Sequence, residues 1–353
     1  MKVAIIGGGL AGSSAAWALA RAGADVEIYE AGETLASAAS GNETGLINPR
    51  IAAHRTPESD FFTAAYAQAV RTFSALGDDV DWLGCGSLHL INDEKKQKRF
   101  YQTLKNWGWP EDEMRLLDAA GASEVAGIEI TKECLYLPHA GQVSPRKLCA
   151  YYAAGVKTHL NQKIENLADV QADIIILACG AGALNFAEAA WLPLNAVRGQ
   201  VTHVKATAQS EKIACNLCFG GYMAAANDGW HMVGSTFQRW LDHSDIIEQD
   251  DRDNLARLKE NIPALADIEF EIIGHRAACR TTSKDHFPIV GPLPDHKNIY
   301  VSTAHGSHGL ISTLASAHIL ADLILSRSSN RPCSQSKFTM NCLNPARFCD
   351  TPL

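Results

Sequence analysis

Gly7, Gly9 and Gly12 stand as G-x-G-x-x-G directly after the apolar run Lys2–Ile6 and ahead of a small-residue stretch, Ala11–Ala22. In such a turn the first glycine permits the tight bend, the second lets the backbone approach a pyrophosphate, and the third lets a helix pack close to a strand. The pyrophosphate rests on the helix N-terminus, where unpaired N–H groups and the helix dipole favour an anion. Glu30 follows the next β-rich run, Asp25–Tyr29, eighteen residues past Gly12. Its carboxylate is placed to accept from ribose hydroxyls and repels a 2′-phosphate, which disfavours NADP and leaves NAD and FAD. Strand, glycines, helix, strand and acid in this order make a dinucleotide-binding fingerprint, stronger evidence than an isolated G-x-G-x-x-G. The same N-terminal stretch has the outline of a signal peptide, but glycines in the middle of its apolar part argue for strand and turn.

Two later stretches bear on which dinucleotide. Ser40, Gly41 and Asn42, with Gly45 and Pro49, form a glycine- and hydroxyl-rich loop that can run alongside an extended cofactor or be an ordinary surface turn. His305, Gly306, Ser307, His308 and Gly309 open the last helix, where N–H groups can meet a flavin carbonyl and stabilise an anionic reduced ring. There is no second G-x-G-x-x-G for a nicotinamide partner, so FAD is the expected cofactor and the substrate is the other redox partner. Gly180, just past the apolar run Asp173–Ala178, joins the expected cofactor set. Cys215-x-x-Cys218 has no second pair or His-x-His at ligand spacing, so these read as strand thiols and no metal is expected.

The elements that must position these residues alternate at both ends of the chain. Lys2–Ile6, Asp25–Tyr29, Asp173–Ala178 and Ile299–Thr303 read as strands of a parallel sheet, with helices over Ala11–Ala22 and from Gly309 to Leu325. Between them, Phe62, Tyr66, Ala69, Phe73 and Leu76 step as one face of a helix. Cys85–Ile91, Arg198–Val204, Trp230–Thr236 and Ile268–His275 are short and mixed in polarity, as in a half-exposed antiparallel sheet. The fold class is therefore α/β: a discontinuous Rossmann-like FAD-binding domain (1–80, 138–196 and 274–326) with an inserted antiparallel-sheet substrate domain of α+β type (81–137 and 197–273). A polar tail over 327–353 is expected to lie on the surface.

Five stretches carry a family resemblance: 39–42 with Gly45 and Pro49; Asp81-Trp82 with Gly86; Gly221-Tyr222 with His231, Gly234 and Ser235; Arg276 and Arg280 leading to Asp285-His286-x-Pro288-x-x-Gly291; and Leu343-Asn344-Pro345-x-Arg347. Over nearly its whole length the chain resembles the FAD-dependent D-amino-acid-oxidase/glycine-oxidase superfamily. Within it, the chain is most similar to the C-terminal oxidase domain of the bifunctional tRNA wobble-uridine enzymes of the MnmC family. That resemblance implies oxidative removal of the carboxymethyl group from 5-carboxymethylaminomethyl-(2-thio)uridine at tRNA position 34. The products are 5-aminomethyl-(2-thio)uridine and glyoxylate. The sequence opens on the cofactor strand, so a downstream methyltransferase is expected to be a separate protein, or the pathway to stop at the aminomethyl stage.

The resemblance also implies roles. Arg280, five residues before Asp285, takes the place of an arginine that clamps the substrate carboxylate; a guanidinium's planar fork suits bidentate pairing, and a salt bridge at the domain seam is the alternative. Arg276 joins it in the catalytic set or holds a loop, and Tyr222 offers a hydroxyl to substrate or is a half-buried sheet tyrosine. A neutral amine can lose hydride directly, so neither His305 nor His308 is nominated as a base.

Composition limits the partners. The 353 residues are 46% hydrophobic and 20% charged, with net charge −8 and pI about 5.9, which excludes a surface that is polycationic throughout. Residues 327–353 carry four basic residues against one acid, a net +3 that leaves −11 for the rest. Lys95, Lys96, Lys98, Arg99 and Lys105 cluster on one predicted helix, as an RNA contact or a solvated face. Ten cysteines without a paired framework suggest reduced thiols in a cytosol, and no run of eighteen apolar residues suggests a membrane span. The expected partner is transiently bound tRNA. Oxidation of a free small amino acid (glycine, sarcosine or a D-amino acid) is the alternative, and a non-catalytic flavin-binding protein the third reading.

Overall fold

The computed structural model describes residues 1–329 and 341–349. One six-stranded sheet has the order β15-β16-β9-β1-β2-β8. It comprises β1 (Lys2–Ile6), β2 (Asp25–Tyr29), β8 (Lys157–His159), β9 (Ile174–Leu177), β15 (Ile289–Pro292) and β16 (Ile299–Thr303). All its ladders are parallel except β15–β16. Burial on both faces is why β9 reads as an unbroken apolar run, whereas β2 keeps a buried Glu27 paired with Lys2, Lys157 and His159. Along β1, Val3 and Ile5 face a core with α1 (Leu10–Arg21), α2 (Pro57–Leu76) and α7 (Gly309–Ser329), while Ala4 and Ile6 face a second core with Phe186 and Val301.

The eight-stranded sheet, in the order β14-β10-β13-β12-β11-β4-β6-β5, draws on other parts of the chain. Its strands are β4 (Ser87–Leu90), β5 (Arg115–Leu117), β6 (Cys134–Leu137), β10 (Leu194–Lys205), β11 (Asn216–Cys218), β12 (Tyr222–Met223), β13 (Trp230–Gly234) and β14 (Ile272–Ser283). They pair antiparallel apart from β11–β4. Helices α3 (Glu94–Trp107), α4 (Ala119–Ala126) and α6 (Glu248–Asn261) cover it, and α5 (Pro145–Ala153) packs on α1. A small ladder joins β3 (Gly45–Ile47) to β7 (Gly141–Val143).

β14 differs from the sequence reading. It starts later than Ile268–His275 and runs on to Ser283, paired with β10 from Leu194 to Val204. Arg276 and Arg280 therefore belong to the eight-stranded sheet, although a boundary at residue 274 assigned them to the FAD-binding domain. Long-range pairing decides this, because one face of β14 borders a cleft and tolerates the polar residues that hid its period.

α2 forms where expected and has a full set of start signals: a Thr56–Ser59 capping box, Pro57 in the first turn, and Glu58 and Asp60 near the helix N-terminus. The helical stretch Gly306–Ser326, most of it α7, is long and apolar enough by length and composition to cross a membrane, although it holds no unbroken run of eighteen apolar residues. Here it is a core helix, with Ile311, Leu314, Leu320 and Ile324 buried.

The C-terminal stretch does not simply lie on the surface. Backbone 327–329 continues α7, and 341–349 is docked, with Leu343 and Pro345 buried. Arg347 pairs bidentately with Asp285, Nε to Oδ2 at 2.8 Å and Nη2 to Oδ1 at 3.2 Å, and donates to the carbonyls of Leu343 and Phe287. The two family stretches around Asp285 and Arg347 are thus halves of one clasp. Burial alone would raise the Asp285 pKa, but hydrogen bonds from Arg347 and Ser283 hold it below the usual carboxylate value. Arg331, Lys337 and Asp350 lie outside the described residues, as does any phosphate contact expected of them.

Candidate active site

A cleft of about 1380 Å³ runs between the sheets, lined by Gly7, Gly9, Glu30, Ser40, Asn42, Gly45, Gly180, Tyr222, Arg280 and the turn from His305 to Gly309, among others. That exceeds the roughly 300–1,000 Å³ of most small-ligand pockets and suits an extended dinucleotide with a substrate beyond it.

One end of the cleft is main chain. Gly7 has φ +108°, and a Cβ on Gly12 would overlap the Gly7 carbonyl oxygen, so glycine is what lets α1 start directly above the turn. Gly9 caps α1 with no side-chain hydrogen bond, and Ser40 Oγ accepts from Leu10 N at 2.9 Å. The Glu30 carboxylate accepts from Gly8 N and Gly32 N, both at 2.7 Å, and from Ser37 Oγ at 3.0 Å. A carboxylate has about four lone-pair sites, so capacity remains for a hydroxyl from the cleft.

Three expected residues, Gly12, Gly41 and Arg276, do not line this cleft. Arg276 does not reach the catalytic end: Nη1 donates to Asn42 Oδ1 at 3.1 Å, and Nη2 donates to the carbonyls of Ala38 and Ser37. It is a strap for the loop over 37–42, and Gly41 lies directly beneath its guanidinium. Arg276 and Arg280 share a face of β14, but four residues of extended chain separate them by about 13 Å.

The other end is side chain. Arg280 Nη2 donates to Ser235 Oγ at 2.9 Å, while Nη1 is buried with no partner. Burial lowers the Arg280 pKa, with Tyr222 and Cys279 pulling the other way and no carboxylate among the causes. A guanidinium remains protonated in a protein, so it is a cation prepared for an anion from the cleft. Burial pushes the Tyr222 phenol up to about 12, against a smaller opposing effect of Arg280, which makes it a neutral donor at ordinary pH.

Gly199 was missed in the sequence. It lies on β10 opposite Ala278, and a Cβ there would overlap Arg280 Nη1. An interior strand glycine is a known mark of close approach, and that was the available signal. Ser235 appeared only as part of the resemblance; its hydrogen bond to Arg280 is a product of the fold.

His305 is held between Ser302 Oγ at 3.1 Å and Ser312 Oγ at 2.9 Å, and burial drives its pKa to about 3. Burial and Arg50 take His308 to about 4, so both rings are neutral and line the cleft. Cys215 is a buried thiol just ahead of β11, Cys218 ends β11 and borders the cleft, and burial raises both pKa values. No metal-binding cluster exists among the described residues.

The sequence matches the DAO family, described as FAD dependent oxidoreductase, over residues 2–323. The chain belongs to that family. It is an FAD-dependent oxidoreductase. Among its relatives is the tRNA 5-methylaminomethyl-2-thiouridine biosynthesis bifunctional protein MnmC of Chromobacterium violaceum, 32% identical over 98% of this chain and 59% of that protein. The namesake from Pseudomonas fluorescens is 31% identical over 97% of this chain and 60% of its own. The chain thus spans about three fifths of the length of these curated relatives. Glycine oxidase from Bacillus cereus has the same fold, with TM-score 0.79, 21% identity, and coverage of 95% of this chain and 99% of that one. L-proline dehydrogenase from P. horikoshii does too, with TM-score 0.82, 16% identity, and coverage of 98% and 97%.

The residues fit FAD. The start of α1, where Gly9 offers no side-chain cap and Ser40 Oγ takes the Leu10 N–H, suits the pyrophosphate, and Glu30 suits a ribose. The turn ahead of α7, whose first turn has no acidic residue, lines the cleft where a flavin would lie.

Proposed function

We propose that this chain oxidatively removes the carboxymethyl group from 5-carboxymethylaminomethyl-(2-thio)uridine at tRNA position 34. The products would be the 5-aminomethyl nucleoside and glyoxylate. The observation that carries this reading is the buried, unpartnered Arg280 Nη1 at the side-chain end of the cleft. It calls for an anionic substrate, and the MnmC relatives direct attention to a nucleoside whose amine bears a carboxylate. Bound FAD supplies the two-electron acceptor for the hydrogen on the carbon next to nitrogen.

The chain's own residues do the rest. Arg280 grips the carboxylate with its planar fork, and Ser235 fixes the angle of that fork. The Tyr222 hydroxyl, neutral at working pH, donates to the same end of the substrate. Together they aim the C–H at the cofactor, an orientation effect that loses about 10²-fold for a 1 Å error. Loss of hydride from the C–H leaves a C=N bond, which water opens to glyoxylate and the primary amine. The neutral His305 and His308 shape the cleft and carry no proton.

Purified enzyme loaded with FAD should release glyoxylate from tRNA carrying the modification and leave glycine, sarcosine and D-alanine untouched. Mass spectrometry of wobble nucleosides from a deletion strain should show the carboxymethylaminomethyl form accumulating. Rapid turnover of a free amino acid, with indifference to tRNA, would contradict the reading.

A further inference from the structure

The segment 235–240 leaves the end of β13 and forms one wall of the cleft mouth. It alternates. Ser235 and Phe237 line the cleft, while Thr236 and Gln238 turn inward to a buried polar network. Thr236 Oγ1 accepts from Gln200 N at 3.0 Å, and Gln238 Nε2 donates to Asp250 Oδ1 at 2.9 Å. The backbones of Gln238 and Arg198 exchange hydrogen bonds at 3.0 and 2.9 Å, and the Arg198 side chain, fully buried, pairs with Asp250. Thr236 and Gln238 therefore anchor the segment, although it lies at a rim.

The segment presents aromatic surface to solvent. Phe237 is 48% exposed and Trp240 76% exposed, the largest value among the exposed large hydrophobic side chains. The Phe237 ring centroid is 5.9 Å from Arg280 Cζ and 5.5 Å from Arg239 Cζ. Aromatic and guanidinium planes thus continue outward from the substrate clamp. The charges nearby are mixed: Arg239, Asp242, and His243 beside Asp245. This does not resemble a phosphate track. Flat, partly apolar surfaces with one cation are what unpaired nucleobases stack on.

We propose that segment 235–240 is a base-stacking rim. Phe237 and Arg239 flank the nucleobase whose side arm reaches Arg280, and Trp240 stacks on an unpaired neighbouring base. The inference rests on the RNA reading above and adds to it the residues that recognise the RNA beyond its modified group.

The test compares Trp240→Ala and Trp240→Phe with the wild type. The two substrates are an anticodon stem–loop carrying 5-carboxymethylaminomethyluridine and the free modified nucleoside. Loss of one stacked base predicts a KM for the stem–loop raised about 5- to 100-fold in Trp240→Ala, with kcat kept and most of the KM restored in Trp240→Phe. Turnover of the free nucleoside should be the same in all three. An unchanged stem–loop KM would overturn the rim and leave the function standing; the surface would then meet another partner. Equal losses on both substrates would also overturn it, because the residue would then act through the fold. A wild type that oxidises neither substrate would remove the function and the rim together.

Discussion

The two ends of the cleft are built by different means. At the α1 end the contacts are main chain and one carboxylate: a glycine turn, a helix start whose N-cap glycine has no side chain, and Glu30 already tied to Gly8, Gly32 and Ser37. At the β14 end they are long side chains on an antiparallel sheet, with Arg280 laid across Gly199 and steadied by Ser235. Main-chain recognition is built from local sequence and recurs for any dinucleotide. Side-chain recognition depends on which residues three strands bring together, and it can change substrate without disturbing the cofactor. The difference separates binding of FAD from choice of substrate, and each can be broken alone.

The largest effect should come from the main-chain end. Gly12→Val puts a branched side chain against the Gly7 carbonyl, and the protein should purify colourless, with no flavin absorbance and no activity. Coloured, active Gly12→Val protein would break the distinction. At the other end, Arg280→Met should keep its flavin spectrum and lose about 10²- to 10³-fold in kcat/KM. Gly199→Ala sharpens the point without touching a charged group. It should lose about 10- to 100-fold in kcat/KM at full flavin content, because Arg280 must move by a fraction of its own length.

The smallest effect lies outside both ends. Arg347→Ala removes the clasp on Asp285, a partly exposed pair, and should cost about 1 kcal/mol in denaturant unfolding with catalysis unchanged. The Asp285 pKa is depressed in the folded state, so its contribution is present above the ordinary carboxylate pKa and fades as pH falls through the folded value. Wild type should therefore lose more stability than Arg347→Ala between neutral and acid pH, and parallel pH profiles would show that the clasp is not what depresses that pKa.

The sequence was informative in proportion to how local the physics is. Lys2–Ile6, Asp25–Tyr29 and Ile299–Thr303 matched their strands because each is a short β-rich run centred on buried apolar residues. The glycine turn and Glu30 were legible for the same reason, since every partner lies within one strand–helix–strand unit. For Arg276 the sequence left a catalytic and a loop-holding role open, and only the register, which places it against the loop over 37–42, favours the second. Gly199 and the alternation of 235–238 had no local motif. Their meaning comes from residues on β14 and α6, far along the chain, and only cross-strand pairing brings them together.

The central claim is that Arg280 grips the carboxylate of an amine held against the flavin. Anaerobic stopped-flow bleaching of the flavin, run with the carboxymethylaminomethyl nucleoside and with its carboxamide analogue, tests this most directly. The acid should bleach the flavin fast, the neutral analogue about 10²-fold more slowly, and the difference should vanish in Arg280→Met. Equal bleaching by acid and amide in the wild type would contradict it.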